Sequence, residues 1–217
     1  MVATRRAMRA ALLTTAANKG AATMIDSDDG FAPDPGPLDG IAAASFRHAF
    51  RQLAATVAVL TVVGRDGRPR GMTVTSMCGL SVEPPTLLVC IDRAARTHRD
   101  LMASGWFGLD ILADHQHAIA ARCARSGSEK ILAAEWLAEP SADGLPHVAG
   151  SVVRLGCSID AIHPASTHDI VVGRVRTIDV DARPDEPLLY HDGRFGRLGE
   201  DRIPLALADT LAHRDED

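Results

Sequence analysis

The residues able to do chemistry in this sequence gather between positions 71 and 97, in GMTVTSMCGLSVEPPTLLVCIDRAART. A strand-like run opens the stretch with hydroxyls where a buried strand would carry apolar side chains: Thr73, Thr75 and Ser76. A short turn, Gly79-Leu80-Ser81, adds another hydroxyl. A Pro84-Pro85 break then leads into an apolar strand over 87–91 that stops abruptly at Asp92-Arg93. Small hydroxyls, backbone amides freed at a turn and a cation at a strand end are what an anionic group such as a phosphate needs. The same residues equally describe two neighbouring barrel strands with a solvated, Thr-rich face, since Thr is a good strand former in its own right.

His168 is the histidine best placed for chemistry. It opens an apolar strand in Ser166-Thr167-His168-Asp169-Ile170, where a barrel strand would meet its rim. A neutral imidazole there can hydrogen-bond a ligand amide or stack on a ring; the alternative is a strand-end histidine paired with Asp169. His115 and His117 stand two apart on an expected helix, so they diverge and do not converge on one ion. The glycines form neither GxGxxG after a strand nor GxxxxGK[ST]. No GxSxG and no Ser/His/Asp order stands out.

The elements that must position these residues belong to a chain of 217 residues, 24% charged and 46% hydrophobic, an ordinary composition for one well-cored globular domain. A formal net charge of -5 argues against a nucleic-acid partner. No apolar run approaches the roughly 20 residues that span a bilayer, which argues against a membrane protein. Four cysteines (Cys78, Cys90, Cys123, Cys157) lack any CxxC or framework spacing and suit free thiols in a reducing compartment. Cys90 and Cys157 lie in apolar runs and read as core thiols.

Residues 1–40 differ from the rest. The first 25 contain Arg5, Arg6, Arg9 and Lys19 with abundant Ala and Thr, a composition like an organellar transit peptide. They equally fit an unstructured tail, or an upstream start with Met24 as the alternative. Residues 26–40 are acidic and rich in Pro and Gly, a linker. The domain is expected over 41–200, with a tail over 201–217. Its first helix, 44–53, places Phe46, Ala49, Phe50 and Leu53 on one face, with Ser45 as N-cap. Residues 56–63 form a buried strand, and an Asp66-Gly67 turn folds it back antiparallel onto the hydroxyl-bearing strand. A helix over 96–104, a strand over 106–112 and a helix over 114–125 capped by Asp114 follow; Ile119 and Cys123 face inward on the last. After a loop-rich stretch over 126–150 come strands over 151–163 and 167–180, the second broken by Gly173, and a hairpin around Asp192-Gly193 over 188–198. Six or so strands with two or three short helices suggest a mainly β fold, a closed antiparallel barrel with peripheral helices.

From about 45 to 198 the chain resembles the short-chain NAD(P)H:flavin oxidoreductases, the reductase components of two-component flavin monooxygenases. Three ordered matches carry the resemblance. Residues 71–97 match the family's flavin-binding stretch, including its Ser-x-x-Pro-Pro step. STHDIVVGRV is similar to the family's Gly-Asp-His-x-(apolar)-Gly-x-Val strand, and PLLYHDGRFGRL to its closing hairpin. The resemblance implies an FMN-binding split β-barrel of Greek-key type, working as a cytoplasmic homodimer. It implies FMN or FAD and NADH or NADPH as cofactors, and a flavin-dependent monooxygenase as partner. Thr73, Val74, Thr75, Ser76, Met77 and Cys78 would lie along the isoalloxazine and ribityl chain. Ser81, Arg93 and Thr97 would hold the flavin phosphate, and Ile91 and Asp92 would line the ring pocket. Lys130 would stand near the flavin, Phe195 would pack beside it, and His168 would face the nicotinamide. The sequence departs from the family at Ser166-Thr167, where Gly-Asp is usual, and at Ile131, where an aromatic is usual.

No catalytic acid, base or nucleophile is implied. Hydride transfer is the cofactors' own chemistry, and the protein aligns two rings and excludes side reactions. The alternative is a flavin-binding split barrel that does not turn over, a carrier or sensor. A third reading is a structural barrel without flavin affinity.

Overall fold

The structure is a computed structural model, and it describes residues 43–125, 127, 129–181 and 186–199. The expectations for 1–40 and 201–217 lie outside the described residues. Ten strands and three α-helices are present among them: α1 Ala43–Arg51, β1 Ala55–Thr56, β2 Ala58–Val63, β3 Pro69–Val74, β4 Met77–Ser81, β5 Thr86–Asp92, α2 Arg96–Ser104, β6 Trp106–Ile111, α3 His117–Ala124, β7 Val153–Ala165, β8 His168–Val180, β9 Leu189–His191 and β10 Arg194–Gly196. Seven strands form one antiparallel sheet in the order β3-β2-β6-β7-β8-β5-β4, and β1-β9-β10 form a second.

The two edges of the large sheet, β3 and β4, are joined by only Thr75 and Ser76. Laid flat, seven strands would hold their edges about 29 Å apart, while the link from Val74 to Met77 spans at most about 10 Å. The sheet must therefore roll up until its edges meet, and the chain itself crosses the seam. No ladder joins β3 to β4, so the barrel is closed covalently and split in its hydrogen bonding. Ser76 is tied across to β5 instead, its carbonyl accepting the Cys90 amide at 3.0 Å.

Strand β2 is buried on both faces because side chains alternate. Ala58, Leu60 and Val62 point into the barrel with Val89, Ile91, Phe107 and Val171. Val57 and Val59 point outward under α3, against Ile119, Ala120, Cys123 and Leu132. Each fully buried side chain of this kind stabilises the fold by about 1.5–3 kcal/mol. Ile119 and Cys123 thus face inward as expected, and Cys157 is a core thiol while Cys90 is half-buried.

Several expectations are corrected. Gly79-Leu80-Ser81 is not a turn but part of β4, whose pairing with β5 shifts register between Gly79 and Ser81. Gly173 does not break β8: it pairs with Leu87 and Ile159, and a Cβ there would lie 2.5 Å from Cζ of Phe107, so the glycine makes room for that ring. Ser45 lies within α1, not at its cap, and Phe46, Phe50 and Leu53 are each more than half exposed. Burial against the barrel is therefore not what makes α1 amphipathic. Asp114 starts a 3-10 turn, Asp114–Gln116, ahead of α3; the capping contact is the Gln116 side chain accepting the Ala113 amide at 2.9 Å.

The loop before β7 is held by charges. Asp110 on β6 is fully buried and accepts from His147 Nδ1 at 2.6 Å and from the Val148 amide at 2.7 Å. His147 Nε2 reaches Asp143 at 3.2 Å, and Asp143 accepts in turn from Thr177 on β8 at 2.6 Å. Burial opposes a charge on His147, but the two carboxylates outweigh it and raise its pKa above 6.5. Burial likewise works against ionised Asp143, and its hydrogen bonds from Ser141, Thr177, Leu145 and His147 prevail, holding it below 3.8.

Two outcomes follow from these contacts. A raised histidine pKa gives stability that is full below 6.5 and lost as pH rises through the folded value, while the depressed Asp143 gives stability lost below 3.8. Burial raises the pKa of Asp110, so its ionised form is tolerated only while His147 is protonated beside it. Wild-type protein should therefore exceed His147→Gln in urea unfolding by about 2 kcal/mol near pH 5.5, the loss of a hydrogen bond to a charged group, a gap that narrows toward pH 9. In the β7–β8 turn, Ser166 has φ +52°, a left-handed conformation that favours glycine. Ser166→Gly should raise stability by about 0.5–1 kcal/mol, measured the same way.

Candidate functional site

A groove of about 780 Å³ lies along β4, reaching from Thr75 of the crossing to β1, β6, β7 and β8. Thr75 of the crossing and Met77, Cys78 and Ser81 of β4 line it, with apolar walls from Leu109, Ile111, Leu155 and Val175. The groove is in the size range of small-molecule sites, apolar with a few convergent polar groups. Thr75, exposed in the crossing between β3 and β4, and Ser81, at the end of β4, give it hydroxyls.

The neighbouring residues have other partners. Thr73 donates its hydroxyl to the Ala120 carbonyl at 2.7 Å and so anchors α3 to β3. Ser76 Oγ donates to the Cys90 carbonyl at 3.1 Å, and Ser81 Oγ to the Glu83 carbonyl at 3.0 Å. Ile91 is wholly buried in the barrel core and does not line the groove. Thr97 is also fully buried, and its Oγ1 has no hydrogen-bond partner.

A second group stands where β5 ends beside the start of β8. Asp92 pairs with His168 in register, and the Arg93 amide donates to the Thr167 carbonyl at 3.1 Å. Asp92 Oδ1 accepts the Ala94 amide at 2.8 Å, turning the chain toward α2. Arg93 and His168 are exposed, and the ring of His168 meets the Thr167 hydroxyl through Nδ1 at 2.9 Å. Asp169 does not pair with His168. It points inward, where its Oδ2 meets His98 Nε2 at 2.7 Å, and Arg93 Nε lies 4.0 Å from its Oδ1. Sequence reasoning gave His98 no role, and no local signal could have: its partner lies 71 residues away.

Lys130 and Phe195 lie apart from both groups. Lys130 runs along the outer edge of β3, its carbonyl accepting the Gly71 amide and its Nζ donating to the Cys123 carbonyl, 3.0 Å away. Burial lowers its pKa. Phe195 stands edge-on to Tyr190 at 5.7 Å and borders a separate cavity with His115 and His117. Burial pushes the Cys123 thiol up to about 11 and the Cys157 thiol to about 12, so neither is a nucleophile near neutral pH. Among the described residues no group of three His, Cys, Asp or Glu is arranged to hold a metal ion.

The chain thus offers two things: an apolar groove edged with hydroxyls, and, separately, a cation and an imidazole where β5 ends beside the start of β8. Comparison with known proteins agrees with that chemistry. A relative from Streptomyces pristinaespiralis, named NADH:riboflavin 5'-phosphate oxidoreductase, is 34% identical over 79% of this chain and 94% of its own length. A flavin reductase (NADH) from Kitasatospora aureofaciens is 34% identical over 82% of this chain and 92% of its own. Among solved structures, the flavin reductase component of a bacterial two-component tryptophan halogenase superposes with a TM-score of 0.66 at 31% identity, covering 74% of this chain and all of that one. A nitrilotriacetate monooxygenase component B homolog from Mycobacterium thermoresistibile gives a TM-score of 0.70 at 29% identity, covering 77% of this chain and 93% of that one. The family described as flavin reductase like domain matches residues 50–199, and the chain belongs to that family.

Proposed function

We propose that this protein is a flavin reductase that reduces FMN or FAD with NADH and passes the reduced flavin to a monooxygenase. The single observation that carries the reading is the groove along β4. Part of its lining comes from residues 71–97, the stretch that resembles the family's flavin-binding segment, and its volume and apolar walls suit a planar heteroaromatic ring.

The residues present fit such a ring and its side chain. Thr75 and Ser81 offer hydroxyls, and Met77, Leu109, Ile111 and Leu155 offer apolar contact that excludes water. Arg93, 46% exposed and already drawn toward Asp169, supplies a movable cation for a phosphate. His168 presents its ring at the rim to a carboxamide; Thr167 occupies Nδ1, which leaves Nε2 to the ligand. The bound cofactors supply the hydride chemistry themselves. The protein's part is to hold the two rings at reacting distance, so the rate derives from orientation.

In this reading the working unit is a homodimer. The support is the apolar surface that one chain leaves uncovered on α1, β4 and the end of β8: Phe46, Phe50, Leu80, Ile178 and Val180. A second copy could also bring Lys130 and Phe195, which lie apart within one chain, toward a shared site. Four free thiols suit the cytoplasm, and no described helix is long and apolar enough to cross a membrane.

NADH oxidation followed in absorbance, with and without added FMN or FAD, tests the reading. Oxidation should depend on added flavin. Arg93→Ala should raise the flavin KM about tenfold, the loss of one charge-assisted contact, with a smaller effect on kcat. Flavin binding without NADH oxidation would instead establish the carrier reading.

A further inference from the structure

We infer that His98 and Asp169 are positioning residues for the coenzyme side of the site, holding the start of β8 so that His168 faces outward with Arg93 beside it. The inference rests on His168 as the nicotinamide contact.

Successive side chains on a strand point to opposite faces, so the orientations of His168 and Asp169 are set together. Asp169 is the inward member of the pair, 6% exposed, while His168 is exposed. A carboxylate in that place is costly unless it is paired. His98, in the first turn of α2, meets its Oδ2 at 2.7 Å, and its Oδ1 has no hydrogen bond and lies 4.0 Å from Arg93 Nε. Without His98, the cheapest way to hydrate Asp169 is to rotate the strand end outward, and alternation then carries His168 inward.

The turn before β8 does little to prevent that rotation. Ser166 sits in a left-handed conformation that favours glycine, and the next ladder partner on β7 is Pro164, which has no amide to donate. The restraint comes from the other side. β5 pairs with β8 through Ile91 and Asp169, and α2 follows β5 at once. Arg93, His98 and the β5 end therefore form one short segment. Backbone pairing through Asp92 and the Arg93 amide holds it to β8, and the Asp169 carboxylate on His98 is the side-chain contact that fixes which way the β8 start faces. His98 itself is 12% exposed and turned to Asp169, so it acts through its neighbours and not on the substrate.

The test uses the flavin-loaded protein, titrated at equilibrium with NAD+, which does not turn over, and assayed with NADH. The variants are His98→Ala, His98→Gln, His168→Ala and the His98→Ala/His168→Ala double. His98→Ala should raise the Kd for NAD+ and the KM for NADH about five- to tenfold. Its kcat and flavin KM should move less than about twofold. His98→Gln, which keeps a donor toward Asp169, should recover most of the loss, and it serves in place of the alanine variant should that one not fold. Added to His168→Ala, the His98 substitution should change little, because both act through one ring. If His168→Ala weakens NAD+ while His98→Ala only lowers the melting temperature, or if the two losses multiply, the positioning role is overturned and the nicotinamide reading stands. If His168→Ala leaves both constants unchanged, that reading fails and the positioning role falls with it.

Discussion

The structure depends on one constraint: two residues, Thr75 and Ser76, join strands that lie at opposite edges of a seven-stranded sheet. Everything between β3 and β4 in the sheet order must curl to satisfy that link. Barrel closure is usually a matter of hydrogen bonding between first and last strands; here the covalent chain closes it and the ladder stays open. An open ladder leaves a gap in the wall. The groove runs along β4 from Thr75, so the residue that makes the crossing also edges the site.

Closing a barrel this way leaves loops and a strand end to be tied down, and buried charges do much of that work. Arg70, 1% exposed, is held in a two-pronged pair with Asp66 at 2.8 Å for each contact, and it also reaches the Glu129 carbonyl and Asp100. It thereby joins the β2–β3 hairpin, α2 and the segment beside Lys130. The Asp110–His147–Asp143 cluster does the same for the loop before β7, and Gly156 has no Cβ because one there would fall on Asp143 and Thr177. Each is a buried charge that would be costly alone and is tolerated because its partners are geometrically fixed. His98 and Asp169 belong to the same class, set close to the proposed coenzyme contact.

The division of labour fits a protein that orients two rings and leaves the chemistry to them. Its cysteines at the core are inert, and the polar groups at the groove and rim are hydroxyls, an arginine and an imidazole. Strand ends and the short links between strands carry these groups. A flavin that arrives and leaves at each turnover would need a site already shaped before it binds, and a barrel wall supplies that.

Much of this was legible in the amino-acid order. β2 reads as a buried strand because its residues are β-branched or apolar throughout, and α2 matches its expected bounds, residues 96–104. The hairpin at Asp192-Gly193 was legible because both residues tolerate the positive φ they adopt. The groove hydroxyls stood out as polar residues on an otherwise apolar strand. What the sequence could not convey were pairings between distant positions. The burial of Thr97 and Ile91, the use of Thr73 on α3, the exposure of α1's apolar face and the capture of Asp169 by His98 each depend on what the fold brings alongside. Local order determines which residues can form a strand, a turn or a cap, because those preferences act over a few bonds. Only the rolled-up sheet decides which side of a strand meets water and which carboxylate meets which cation, because those outcomes depend on distances through space.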